Sequence, residues 1–254
     1  MRLPRTPSFR LDGKRALVTG GTRGIGLGAA VALAEAGAEV TIAARTARDV
    51  AAAVAAMRES GFRVDGSALD VTDTAAVQAF MAERPAFDIL VNSAGGARHA
   101  SFLQVEERDY QAVVDLNLKA TIFVSQCVAT RLVAEGRSGS IINISSQMGH
   151  VSGPQRSIYS ATKFAVEGLT RGMAIDLGPD NIRVNTICPT FIETEMTAGS
   201  LSDAEFRAWV LSKIKLGRLG KVEDIMGAVV FLASDASAMV TGSSLLVDGG
   251  WRAG

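Results

Sequence analysis

The pentad Tyr159-Ser160-Ala161-Thr162-Lys163 sets a phenol and an ammonium four residues apart, a spacing that puts both on one face of a helix. A free phenol titrates at about 10, too high for ready proton exchange at neutral pH. A neighbouring positive charge favours the phenolate and lowers that value. Tyr159 can then give a proton to a reacting oxygen or take one from it. The spacing alone is common, and many such pairs only decorate a surface. Context strengthens it: Ser145-Ser146 closes the apolar run Ser140–Ile144, upstream of the tyrosine. A hydroxyl at the carboxyl end of a parallel strand lies where open α/β sheets bind ligands, and there Ser146 can hold the reacting oxygen beside the phenol. Asn117 interrupts the helical run Tyr110–Leu118, either for function or as a helix-distorting residue bonded to backbone.

A second constellation concerns phosphate. The run Arg15–Thr19 leads into Gly20-Gly21-Thr22-Arg23-Gly24-Ile25-Gly26 and then into a helical segment. Glycines at a strand-to-helix turn let the backbone approach a pyrophosphate, whose charge the helix N-terminus favours. After the next strand stands Ala43-Ala44-Arg45-Thr46, where NAD-binding folds of this type carry an Asp or Glu for both ribose hydroxyls. No carboxylate is present. Arg45 instead offers a guanidinium suited to a 2′-phosphate, and Arg23 adds a second positive charge from the glycine loop. NADP(H) is favoured over NAD(H), the bland alternative being that both arginines merely face solvent. An oxidised nicotinamide beside Tyr159 would add its charge to that of Lys163 in favouring the phenolate.

These groups need a scaffold that aligns strand ends. Short runs rich in Val and Ile, at Arg15–Thr19, Glu39–Ala44, Val64–Leu69, Asp88–Val91, Ser140–Ile144, Ile182–Ile187 and Ser244–Val247, are mostly apolar throughout, as in parallel strands covered on both faces. Segments of helical length separate them, among them Ile25–Ala36, Asp49–Ser60, Glu106–Glu135 and Ser157–Leu177. The alternation predicts a doubly wound, Rossmann-type α/β domain: one seven-stranded parallel sheet with helices on both faces, spanning 1–254. Residues 1–10 read as a flexible arm. Thr190–Gly217 holds no strand candidate and can form a lid over the site.

Composition narrows the partners. The 26 basic residues balance 26 acidic ones, with 48% hydrophobic residues. A phosphate-backbone binder gathers basic charge, so nucleic acid is a poor partner. No apolar run reaches the roughly 20 residues of a membrane-spanning helix, and the N-terminus lacks the apolar core of a secretory signal. Cys127 and Cys188 form no CxxC pair and read as reduced, small hydrophobes. These features predict a cytoplasmic protein with neither nucleic acid nor membrane as partner, and the groups singled out above, which act on a small-molecule carbonyl or alcohol oxygen, call for no metal.

Taken together, Thr19–Gly26, Asp70-Val71, Asn92-Ser93-Ala94-Gly95, Asn117, Ser146, Tyr159 with Lys163, and Pro189 resemble the classical short-chain dehydrogenase/reductase family, over roughly Leu11 to Trp251. The resemblance implies that Tyr159 is the acid/base, that Ser146 orients the substrate, and that Lys163 binds the nicotinamide ribose and tunes the tyrosine. Asn117 would hold a water linking Lys163 to solvent. The implied cofactor set is Gly20, Thr22, Arg23, Gly24, Ile25, Gly26, Arg45, Thr46, Asp70, Val71, Asn92, Ala94, Gly95, Tyr159, Lys163, Pro189, Ile192 and Thr194. Asp70 and Val71 would meet the adenine. The Gly220–Gly250 segment is similar to that of family members that form homotetramers. Two positions depart from the common pattern: Ser93 replaces a second Asn, and Thr190 replaces the Gly after Pro189.

The implied reaction is hydride transfer to or from a ketone, a sugar-like polyol or a 3-oxoacyl thioester. The alternatives are an NAD-dependent sugar or alcohol dehydrogenase and a non-catalytic redox sensor. Residues expected toward the substrate are Ser146, Gln147, His150, Tyr159, Thr190, Met196 and Trp209, with Ala97, Met148, Arg156 and Phe206 nearby. A structural role for His150 beside the Gly149 turn competes with a substrate role. Fold and family fix a reaction class, not the molecule.

Overall fold

The apolar runs become strands because their alternate residues feed two separate cores. In β1 (Arg15–Thr19), Ala16 and Val18 enter one core and Leu17 the other. In β2 (Glu39–Ala44), Val40 and Ile42 face the first core and Ala43 the second. The computed structural model describes Met1 and residues 3–253. The remaining strands are β3 (Val64–Ala68), β4 (Ile89–Asn92), β5 (Gly139–Ile144), β6 (Ile182–Pro189) and β7 (Ser244–Val247). All pair in parallel, in the order β3-β2-β1-β4-β5-β6-β7. The seven-stranded doubly wound sheet expected from the sequence is present. The order reverses between β1 and β4, and a crevice opens at the carboxyl ends where it does.

The helices are α1 (Gly24–Glu35), α2 (Ala47–Glu59), α3 (Thr74–Ala82), α4 (Glu107–Val114), α5 (Ala120–Ala134), α6 (Ser157–Leu177), α7 (Glu195–Leu201), α8 (Ala204–Lys213) and α9 (Glu223–Ala233). Leu33 of α1, Val54 of α2 and Val229 of α9 fill the first core. Phe80 of α3, Val124 and Leu132 of α5, and Ala174 of α6 fill the second. A third cluster, Met148, Phe191, Val210, Ile214, Leu219 and Trp251, lies beyond the sheet end under α8.

β3, β5 and β6 shift by one or two residues at one end, and three further features differ from the sequence-based expectations. The run expected as one helix over Glu106–Glu135 is interrupted by a π turn at Asp115–Lys119. That turn carries Asn117, whose amide bonds away from its own helix, so one extra residue is absorbed there. This helical stretch, Glu107–Ala134, is long and apolar enough by length and composition to cross a membrane, which no apolar run in the sequence indicates. Its apolar face is packed in the second core. Finally, β4 extends through Asn92 rather than stopping at Val91. The polar side chain is accommodated because Nδ2 donates to Ser125 Oγ at 2.8 Å and to Asn143 Oδ1 at 2.9 Å.

Candidate active site

The carboxyl ends of β1, β2, β4, β5 and β6 surround a cleft of about 490 Å³. Its phosphate end is the turn between β1 and α1. A Cβ on Gly26 would sit 2.1 Å from the Gly20 carbonyl oxygen, and Gly20 itself holds φ +67° beside the Ala94 backbone. A side chain cannot be accommodated at Gly20 or Gly26, so the backbone at the start of α1 stays open to the cleft between Thr22, Arg23 and Ile25. Thr19 braces the opposite wall, its Oγ1 accepting from the amides of Ser93 and Ala94, each at 3.2 Å.

Most residues singled out in the sequence meet on this cleft. Gly20, Thr22, Arg23, Gly24, Ile25, Gly26, Arg45, Thr46, Val71, Ala94, Gly95, Pro189, Ile192 and Thr194 line it, as do Ser146, Tyr159, Lys163, Thr190 and Met196. At the end of β2, Ala44 puts no carboxylate on the strand end itself; exposed Arg45 and Thr46 stand beside it, and Asp49 of α2 also lines this part of the cleft. Thr46 precedes α2 without a side-chain cap bond. The wall thus offers an exposed guanidinium and an uncapped helix start. Thr190 Oγ1 is buried in the cleft wall and has no hydrogen-bond partner among the described residues. A bare glycine turn, a cationic ribose wall and an orphaned hydroxyl fit an NADP(H)-type dinucleotide.

Tyr159 and Lys163 lie one turn apart on α6, with the Lys163 Nζ 5.6 Å from the centre of the Tyr159 ring. Lys163 is 6% exposed, and its ammonium donates to the Ile144 carbonyl at 2.9 Å. Burial lowers its pKa to about 8, against smaller raising effects from Cys188 and Glu167. The expected lowering of the tyrosine by Lys163 is not what the cleft itself produces. Burial pushes the Tyr159 phenol up, while Ser146 and the Arg156 charge pull it down less strongly. Without the cofactor's charge, desolvation of the phenolate dominates. Ser146 is oriented by its own turn: its hydroxyl donates to Gln147 Oε1 at 2.9 Å and accepts from the Met148 amide at 3.0 Å.

Other expected site residues stand off the cleft. Asp70 caps its own turn, accepting from Thr72 N at 2.9 Å and Thr72 Oγ1 at 2.7 Å, whereas Val71 reaches the cleft. Asn92 points into the interior and ties β4 to β5 and α5. Asn117 grips Gly96 at both backbone groups, accepting from N and donating to O, each at 2.9 Å, and donates to Thr162 Oγ1 at 3.1 Å. Asn117 and Lys163 also approach the same glycine: a Cβ on Gly95 would lie 3.4 Å from Asn117 Oδ1 and 3.9 Å from Lys163 Nζ. Gln147 is buried behind Ser146.

His150 corrects the substrate expectation most clearly. Its Nε2 lies 3.4 Å from Cys188 Sγ and 3.6 Å from Glu167 Oε2. There Glu167 accepts from Thr186, Cys188 and Ser244. Burial raises the Cys188 thiol to about 12, so it is an inert donor in this network. Trp209 packs edge-on to Trp251 at 5.5 Å and tilted on Phe206 at 5.5 Å, forming the aromatic floor under α8 rather than the cleft wall.

The sequence reading missed several lining residues, among them Gly96, Leu116, Glu193, Glu195 and Thr197. Glu195 carries the clearest consequence. It starts α7 and its Oε2 accepts from Arg23 Nη1 at 2.9 Å, spanning the cleft mouth. The Arg23 guanidinium is therefore turned across the cleft mouth, in an exposed ion pair that solvent weakens.

Comparisons with known proteins agree with this geometry. The sequence pattern of the family described as enoyl-(acyl carrier protein) reductase matches residues 20–252. D-erythrulose reductase of Gallus gallus is 41% identical over 245 residues, covering 96% of this chain and 98% of that one. Gluconate 5-dehydrogenase of Gluconobacter oxydans is 40% identical, covering 95% and 96%. A crystal structure of gluconate 5-dehydrogenase from Burkholderia cenocepacia, in complex with NADP and tartrate, superposes with a TM-score of 0.94. It is 41% identical, over 97% of this chain and 98% of that one.

Proposed function

Because the chain belongs to the short-chain dehydrogenase/reductase family, we propose that Tyr159, Ser146 and Lys163 carry out its oxidoreductase reaction at CH–OH groups. That reaction is hydride transfer between NADP(H) and the carbonyl or hydroxyl carbon of a small substrate. Relatives that reduce erythrulose or oxidise gluconate by name, and the NADP and tartrate of the Burkholderia structure, support a polyhydroxylated substrate and NADP(H).

The single observation that carries the reading is the meeting of Ser146, Tyr159 and Lys163 on one cleft with a glycine turn and with Arg45 at the end of β2. When bound, NADPH supplies the hydride. Ser146 holds the substrate oxygen, and Tyr159, a neutral phenol at physiological pH, gives it a proton as negative charge develops there. Lys163, anchored on the Ile144 carbonyl, holds the ribose and a positive charge behind the phenol. Asn117 acts as a positioning residue through Gly96, fixing the cleft floor. Arg45 and Thr46 bind the 2′-phosphate.

The segment carrying α7 and α8 closes over the substrate as a lid, with Arg23 and Glu195 as its clasp. Cytoplasmic residence and a homotetramer complete the proposal. Two free cysteines support the first. Exposed Tyr110 on α4, with Phe164 and Ile175 on neighbouring α6, supports a subunit interface. Loss of NADPH absorbance over a panel of ketoses, keto sugar acids and 3-oxoacyl thioesters tests the function. Inertness toward every carbonyl compound refutes it, and a monomer by light scattering refutes the tetramer.

A further inference from the structure

Arg156, the residue before α6, is 7% exposed. Among the described residues no carboxylate forms a salt bridge with it. A cation withdrawn from water without a counter-ion is costly and marks a place where an anion is wanted. The guanidinium carbon lies 4.9 Å from the centre of the Phe206 ring and 5.5 Å from that of Phe191. Aromatic rings over a guanidinium cover its faces and leave its hydrogen bonds in the plane. One of these, from Nη1, goes to the Pro154 carbonyl at 3.0 Å. No other hydrogen bond from this side chain exists among the described residues, so the Nε and Nη2 edge keeps its donors. That edge is the fork that matches a carboxylate in two parallel bonds.

Arg156 is not itself among the residues that line the cleft; it lies among the aromatic side chains of α8 and Phe191 next to it. Arg156 stands one helical turn before Tyr159, and Phe191 adjoins the cleft residues Thr190 and Ile192. A Cβ on Gly153 would meet Met148 at 3.2 Å, Trp209 at 3.6 Å and Arg156 at 3.8 Å, so these side chains converge. The chain reaches this place through Gln155, which holds φ 58°. That left-handed conformation is rare for a residue with a Cβ and recurs where a site demands it. The Arg156 charge also acts on the titration of both Tyr159 and His99, two polar rings set edge to face at 6.5 Å.

The geometry points to Arg156 as the anchor of a substrate carboxylate, making the substrate a keto or hydroxy sugar acid rather than an uncharged ketose. The assignment rests on the hydride-transfer reading above and deepens it. Hydroxyl groups could fill the fork's hydrogen bonds, but only an anion also neutralises the buried charge.

The test compares kcat/KM for 5-ketogluconate and for fructose, with NADPH, in wild type, Arg156→Gln and Arg156→Lys. Wild type is expected to prefer the acid. Arg156→Gln should lower the ratio of acid to ketose by about 30- to 100-fold, chiefly through KM, and Arg156→Lys should restore part of it. An unchanged ratio in Arg156→Gln, or a wild type that reduces fructose as well as the acid, overturns the assignment. If no carbonyl compound consumes NADPH, the hydride-transfer reading fails by itself. Calorimetric titration of wild type and of the Arg156 variants with D-gluconate in the presence of NADP+ then still decides the anchor. Saturable binding that weakens about 30-fold in whichever Arg156 variant folds supports it; no binding to wild type overturns it.

Discussion

Replacing the end of β2 should move the enzyme from NADPH toward NADH by an amount the structure allows to be worked out. Arg45 lines the cleft but is exposed. The 1.5–3 kcal/mol of a charge-assisted hydrogen bond is therefore reduced by solvent to about 1–2 kcal/mol. Arg45→Ala alone should cut the NADPH:NADH ratio of kcat/KM by about five- to thirtyfold. Ala44→Asp adds a carboxylate beside the 2′-phosphate, worth about 1 kcal/mol of repulsion at water-like dielectric, and gives an NAD ribose its hydroxyl acceptor. The double variant should shift the ratio by about 30- to 150-fold. Arg23→Ala should change it less than Arg45→Ala, because the Arg23 guanidinium is engaged by Glu195 at 2.9 Å. Initial rates at varied NADPH and NADH, with one carbonyl substrate held saturating, supply every number. Equal kcat/KM for the two cofactors in wild type, or an unchanged ratio in Arg45→Ala, would refute the reasoning.

Tyr159→Phe should lower kcat by about 10²–10⁴-fold while NADPH binding, followed by fluorescence, stays within a fewfold; near wild-type turnover would remove the acid/base assignment. Carbonyl reduction should hold across neutral pH and decline at high pH, because burial keeps the Tyr159 phenol protonated, whereas alcohol oxidation should rise with pH. A reduction rate that climbs steadily from acid to alkaline pH would contradict this. The Lys163 ammonium, lowered to about 8 by burial, is charged below that pH, so NADPH affinity should weaken as pH rises past it; Lys163→Gln should bind weakly and flatten the dependence. Gly26→Ala should abolish NADPH binding, since its Cβ would lie 2.1 Å from the Gly20 carbonyl oxygen; retained binding in a folded variant would show that the turn can open.

What the sequence made legible was local. Strand runs, the glycine turn and the Tyr159–Lys163 pair each depend on neighbours within a few residues, where period and turn chemistry operate. β1, β2 and β7 have the expected ends. Long-range partners were not legible. Nothing near His150 in the chain announces Glu167 and Cys188, which reach it from α6 and β6. Likewise Arg23 and Glu195 are separated by most of the domain. Asn117 shows the boundary well. Its presence in a helical run signalled distortion, and the π turn is there, but its grip on Gly96 depends on how β4 and α6 converge. The depth of the tyrosine's burial is illegible for the same reason: sequence spacing supplies the ammonium but not the desolvation that opposes the phenolate in the absence of the cofactor's charge.

The widened turn at Asp115–Lys119 has a mechanical consequence. The 28 residues of Glu107–Ala134 look like one rod, yet the two arms are held very differently. Only Val113 of α4 is buried, whereas seven residues of α5 are, and the Thr121 hydroxyl caps the Asn117 carbonyl at the joint. Breaks in the regular ladder separate a helix into units that open independently. Amide hydrogens of α4 should thus exchange with solvent deuterium well before those of α5, with the boundary at the joint. The outer arm can breathe while the inner arm and the Gly96 floor keep still. The joint works as a damper between the molecular surface and the acid/base.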